Sequence, residues 1–110
     1  MGIITHIVSF KYNATSSDSE KHLVASSFLA LQDSCLDPQT QRPYLAVTGG
    51  RDNSPERLAK GFEHSFVVTF DSVDARDYYV SQDPAHERFK RLAAQHVQEA
   101  FVFDFEAGVF

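Results

Sequence analysis

The nine residues Phe62-Glu63-His64-Ser65-Phe66-Val67-Val68-Thr69-Phe70 alternate with a two-residue period. His64, Phe66, Val68 and Phe70 share one face, and Glu63, Ser65, Val67 and Thr69 share the other. Such alternation marks a strand with one side against a core. Immediately downstream, Ser72 can cap a short helix that runs to Tyr79 or Val80. Asp83-Pro84-Ala85-His86 then marks a second helix start, because Asp is favoured at the N-cap and Pro at the first helical position. Phe89, Leu92, Ala93, His96 and Val97 fall near one stripe of that helix. Residues 100–106 alternate again, with Phe101, Phe103 and Phe105 on one side and Val102, Asp104 and Glu106 on the other.

Upstream, residues 3–12 read as a strand that turns His6, Val8, Phe10 and Tyr12 one way and Thr5, Ile7, Ser9 and Lys11 the other. Ser17 and Glu20 have capping-box spacing. Val24, Phe28, Leu31 and Cys35 recur at helical intervals after them, and Asp37-Pro38 closes the helix. Residues 43–48 form a short apolar segment, predicted as a strand, and residues 49–55 read as a turn-rich loop. The order β-α-β-β-α(α)-β predicts an α+β, ferredoxin-like domain over residues 1–110: a four-stranded antiparallel sheet with helices on one face.

A chain of 110 residues supports one modest core. Ten phenylalanines and no tryptophan predict a core or pocket walled by phenyl rings. The net charge of −5 and scattered Lys and Arg argue against nucleic acid. No apolar run is long enough to span a membrane, and no basic segment leads into an apolar one, so neither a membrane span nor a secretory leader is expected. The single cysteine, Cys35, cannot form an intrachain disulfide and suits a reducing, cytoplasmic setting. Gly49-Gly50 lacks the Lys and Ser/Thr of a phosphate loop.

The two sheet faces differ. The phenylalanine-rich face, Phe101, Phe103 and Phe105 included, is predicted to lie under the helices. The other face, with Thr5, Ile7, Ser9, Ser65, Val67, Thr69 and Val102, is small, β-branched and uncharged. A solvated face normally carries charge, so this one is predicted to pack on a second copy of the chain in a two-fold homodimer. His6 and His64 stand on the phenylalanine-rich side, each near the start of its strand, and His86 sits in the first turn of its helix. The three histidines are therefore expected around one cavity that accepts a hydrophobic small molecule. A histidine turned inward at the positive end of a helix stays neutral and can accept a proton. No His-x-His or Glu-x-x-His spacing supports a metal site, and no cofactor motif is present.

His6-Ile7-Val8-Ser9-Phe10-Lys11, Gly61-Phe62-Glu63-His64, Val68-Thr69-Phe70-Asp71-Ser72 and a tyrosine ahead of Asp83-Pro84-Ala85-His86, with Phe89 following, occur together in order. In this pattern the chain resembles the stress-responsive dimeric α/β-barrel (Dabb) family along nearly its whole length, and within it the polyketide cyclases of the olivetolic acid cyclase type. The resemblance implies a face-to-face dimer and a cofactor-independent aldol or Claisen-type ring closure. It implies His86 as general base, an assisting tyrosine at Tyr79 (or Tyr78, if the Asp-Tyr dipeptide is matched instead), and His6, His64, Phe66 and Phe89 beside the substrate. Two departures bear on pocket shape: Asp83 stands where the cyclases have a histidine, and one extra residue separates the tyrosine from Pro84. A non-catalytic binding or stress protein and a cofactor-free oxygenase are the alternative readings. A cavity filled with phenyl rings would favour the binding protein, and an open one reached by His86 and a tyrosine would favour the enzyme.

Overall fold

The computed structural model describes residues 2–110. Its elements are β1 (Ile4–Tyr12), α1 (Asp18–Leu29), α2 (Leu31–Ser34), β2 (Leu45–Arg51), β3 (His64–Phe70), α3 (Val73–Ser81), α4 (Pro84–Ala93) and β4 (Val97–Glu106). The four strands form one antiparallel sheet in the order β2-β3-β1-β4. This is the ferredoxin-like arrangement predicted.

Local chemistry sets the helix starts. Ser17 and Glu20 form a reciprocal capping box at α1. Ser72 caps α3 by accepting from the Ala75 amide at 3.1 Å, and Asp83 caps α4 with Pro84 behind it. Between helices and sheet lies an aromatic core. Phe28 of α1 stacks flat on Phe66 of β3, with centroids 4.1 Å apart and planes within 4°. Phe10 of β1 and Phe89 of α4 pack around that pair. Ile4, His6, Val8, Phe10 and Tyr12 are all buried on the helix side of β1.

The strand bounds differ from the sequence reading at three places. Strand β2 extends through Gly49, Gly50 and Arg51, which pair with Phe66, Ser65 and His64 rather than turning. Gly49 is needed there for space. A Cβ at this position would lie 2.5 Å from Cδ2 of Phe66 and 2.7 Å from the Ser65 carbonyl oxygen. Strand β3 begins at His64, and β4 begins at Val97, whose pairing with Tyr12 across a bulge ends the helix before His96.

A larger correction concerns β4. Phe105, Phe103 and Phe101 pair directly with Thr5, Ile7 and Ser9. Directly opposed residues in a sheet project to the same face. The three phenylalanines therefore stand on the open face, where Phe103 remains 53 % exposed. Val102 and Asp104, opposite Val8 and His6, belong to the helix side. Alternation defines two faces of an isolated strand; only pairing to β1 says which one meets the helices.

Gly49→Ala is expected to destabilise the fold by about 1–3 kcal/mol through overpacking against Phe66. Gly50→Ala, whose Cβ would meet nothing within 4 Å, is expected to change stability by less than about 0.5 kcal/mol. Urea unfolding of the two variants checks the contrast.

Candidate functional site

The residues that build the site come from the end of α3, the start of α4 and the helix side of β1. Asp83 is buried, and its Oδ1 accepts from the amides of Ala85 (2.8 Å) and His86 (3.4 Å). Its Oδ2 accepts the Tyr44 hydroxyl at 2.6 Å. The carboxylate thus satisfies orphan amides at the N-terminus of α4 and ties them to the chain just before β2. Burial, with Asp83 alongside, raises the Tyr44 phenol above its ordinary range. The Cys35 thiol, buried beside the same carboxylate, is pushed up to about 12. That thiol stays protonated near neutrality and is not a nucleophile.

His86 follows one turn into α4. Its Nδ1 lies 2.8 Å from the Tyr79 backbone carbonyl, and its ring stacks on the Tyr79 ring at 3.8 Å and 15°. A carbonyl oxygen can only accept, so Nδ1 carries the hydrogen and Nε2 is left with the lone pair. Burial holds His86 below its ordinary value. The bond to the Tyr79 carbonyl opposes this, while Lys90 and His6 add to it. His86 is therefore a neutral base at physiological pH. Tyr79 is almost fully buried, which holds its phenol well above the ordinary value.

A cavity of about 480 Å³ lies between the sheet and α4. His6, Tyr79, His86 and Phe89 line it together, with Val8 and Phe10 among the apolar walls. Its size and lining are those of a small-molecule pocket. A second, more polar recess contains Arg76, Asp77 and Asp104 and shares His6, Val80 and Val102 with the first.

Three other predicted site residues lie elsewhere. His64 is paired opposite Phe10, four residues along β1 from His6, roughly 13 Å at strand rise. Two histidines at the starts of antiparallel neighbours lie at opposite ends of the sheet, so the three histidines do not converge. His64 instead meets the Tyr12 hydroxyl at 2.7 Å, and its burial holds it below the ordinary histidine value. Tyr12 is pushed up to about 12 by burial, with Glu63 adding to the effect. Phe66 is committed to its stack on Phe28. Tyr78 packs edge-on against Tyr44, with centroids 5.8 Å apart, and is not among the residues lining the cavity. Among the described residues, no three His, Cys, Asp or Glu side chains are grouped to hold a metal ion. No helix among the described residues is long and apolar enough to cross a membrane.

The sequence reading missed Asp104 and Arg76. Asp104 Oδ1 lies 2.6 Å from His6 Nδ1, and Arg76 donates to Asp104 Oδ2 at 2.8 Å. The signal was an acid, Asp104, set between Phe103 and Phe105, but alternation alone turned the phenylalanines rather than Asp104 toward the helices.

The sequence profile of the stress-responsive A/B barrel domain matches residues 4–107. The chain belongs to this family. A curated relative, stress-response A/B barrel domain-containing protein HS1 of Arabidopsis thaliana, is 33 % identical over 64 residues, a span of 58 % of each chain. Among solved structures, the hydroxynitrile lyase of Passiflora edulis superposes with a TM-score of 0.77 at 24 % identity, covering 99 % of this chain and 97 % of that one. A dimeric protein of ferredoxin-like fold from Bacteroides fragilis gives 0.66 at 21 % identity, with 96 % and 97 % covered. At these identities the two structures establish a shared A/B barrel fold.

The depressed basicity of His86 has a sign that can be tested. The unfolded chain takes up the proton near the ordinary value of 6.5, whereas the folded protein resists until lower pH. Stability is therefore full above that value and falls as pH drops through it. His64 acts in the same direction. Urea midpoints are expected to decline from about pH 7 to about pH 5, and His86→Gln and His64→Gln are each expected to flatten the decline.

Proposed function

We propose that this A/B barrel protein is a cofactor-independent enzyme that removes a proton α to a carbonyl in a hydrophobic substrate, in the manner of a polyketide cyclase. The observation that carries the reading is the His86 tautomer. Its Nδ1 hydrogen is committed to the Tyr79 carbonyl, so a bare Nε2 belongs to a ring in the wall of an open apolar cavity. A general base so placed typically contributes about 10²–10⁴-fold. The open cavity, reached by His86 and Tyr79 rather than filled by phenyl rings, favours catalysis over a purely structural protein.

In the proposed reaction, His86 Nε2 takes the α-proton, and the C–H electron pair becomes an enolate. The enolate carbon attacks a second carbonyl of the same chain and closes the ring. Tyr79 serves as hydrogen-bond donor to oxygen where negative charge develops. Phe89, Phe10 and Val8 hold the apolar part of the substrate. The resemblance to the cyclases supports this reaction class, and the lyase among the structural neighbours is compatible with carbonyl chemistry on the same fold.

We propose further that the open sheet face is a homodimer interface. Phe101, Phe103 and Phe105 add bulk to the uncharged Thr5, Ile7, Ser9, Val67 and Thr69 surface. An exposed apolar face of this kind marks an interaction surface, and solved proteins of the same fold are dimeric.

His86→Ala is expected to lower ring closure of a linear β-polyketo substrate by about 10²-fold or more, with circular dichroism unchanged. Undiminished turnover would remove His86 from the role of base. Phe103→Glu is expected to yield monomers in sedimentation velocity; a dimer of unchanged affinity would move the interface elsewhere.

A further inference from the structure

The described mechanism leaves a proton unaccounted for. Ring closure turns the attacked carbonyl into an alkoxide, which needs an acid. Tyr79 can donate a hydrogen bond, but its burial makes the phenol hold its proton. His86 is the base. Among the residues lining the cavity, His6 is the other imidazole.

His6, Asp104 and Arg76, from three different elements, form a connected chain. From β1, His6 Nδ1 meets Asp104 Oδ1 of β4 at 2.6 Å. Arg76 of α3 donates from Nη1 to Asp104 Oδ2 at 2.8 Å, and from Nε to Asp77 Oδ1 at 2.8 Å. Asp104 faces His6 because the two are direct partners in the β1–β4 register. The ring also meets Tyr79 and Phe70 edge-on, with centroids at 5.8 and 6.1 Å. A carboxylate can only accept, so His6 Nδ1 carries a hydrogen. Nε2 is then the nitrogen free to exchange a proton with a molecule in the cavity.

We propose that His6 is the general acid of this site and that Asp104, oriented by Arg76, is its positioning residue. The inference rests on the enzymatic reading above. The step balances without a co-reactant. His86 Nε2 takes the α-proton, and the C–H pair forms the enolate. The enolate carbon bonds to the second carbonyl carbon, whose π pair moves to oxygen. That oxygen takes the proton from Nε2 of the His6 imidazolium. One proton is taken and one is given, so the two histidines together keep their charge through the step. Exchange with solvent resets both rings. Asp104 stabilises the imidazolium, as a carboxylate does behind a catalytic histidine. Arg76 occupies the carboxylate oxygen that His6 does not use.

Arg76 gives the proposal a distinctive test. In Asp104→Asn, the guanidinium demands an acceptor, so the amide oxygen turns to Arg76 and the amide NH₂ turns to His6. His6 Nδ1 must then accept, and the ring hydrogen moves to Nε2. The experiment is long-range ¹H–¹⁵N correlation of the imidazoles in uniformly ¹⁵N-labelled protein across a pH titration. In the wild-type protein, the neutral His6 ring is expected to be the Nδ1–H tautomer, its hydrogen held by Asp104. In Asp104→Asn the neutral ring is expected to become the Nε2–H tautomer. A bare Nδ1 in the wild type, or an unchanged tautomer in the variant, would overturn the positioning role. The wild-type spectrum decides the ring's orientation even if the variant does not fold, and neither spectrum needs a substrate, so this readout is independent of the His86 assay. With a linear β-polyketo substrate, Asp104→Asn is expected to lower kcat by about 10²-fold with KM little changed. An unaltered kcat in a variant whose tautomer has flipped would overturn the acid role of His6.

Discussion

Strand β1 is hydrogen-bonded along both edges, to β3 on one side and β4 on the other, and this central pairing governs the rest of the molecule. A one-residue slip in either register would exchange every side chain between the two faces. In the register that forms, Ile4, Val8, Phe10 and Tyr12 go under the helices, and the stack of Phe28 on Phe66 completes the core they enter. The same register sets His6 against Asp104 and turns Phe101, Phe103 and Phe105 outward. Core, site and proposed dimer face are three consequences of one set of backbone pairings.

A second constraint acts at the start of α4. Asp83 is a buried carboxylate, and burial of such a group is costly unless it is fully hydrogen-bonded. Here helix amides and the Tyr44 hydroxyl supply the partners. The cap therefore anchors the helix N-terminus rather than merely starting it. With that end held, His86 falls within reach of the last turn of α3, and the Tyr79 carbonyl sets its tautomer. The departure from the cyclase pattern at position 83 is thus structural in its first effect: an acid replaces a histidine and takes up the capping bonds and the link to Tyr44.

The histidines show how environment separates chemically identical side chains. His86 is held neutral by burial against an aromatic ring, with a carbonyl behind it. His6 has a carboxylate behind it, itself held by a guanidinium. His64, at the far end of the sheet, is engaged by the Tyr12 hydroxyl. Residue type alone grouped all three; their partner atoms, a backbone carbonyl, a carboxylate and a phenol hydroxyl, set them apart.

Much of the fold was legible because it depends on local rules. Ser17 with Glu20, Ser72, and Asp83 with Pro84 marked the helix starts through backbone amides that need acceptors, and the period-two alternation of residues 62–70 marked a strand from side-chain geometry alone. His86 was legible for the same reason, since a first-turn histidine before Phe89 must look inward. Other features were decided by tertiary pairing. Alternation in β4 separated two sets of side chains without saying which faced the helices, and only hydrogen bonding to Thr5, Ile7 and Ser9 turned the phenylalanines outward. Gly49 resembled a turn residue until Phe66 was seen to occupy the space of its missing Cβ. His6 joined His86, and His64 did not, because antiparallel neighbours run in opposite directions. Sequence by itself determined where elements begin and which residues share a face, because those properties depend on neighbours along the chain. Tertiary structure decided which faces meet and which titratable groups become partners, because those depend on distances between residues as far apart as His6 and Asp104.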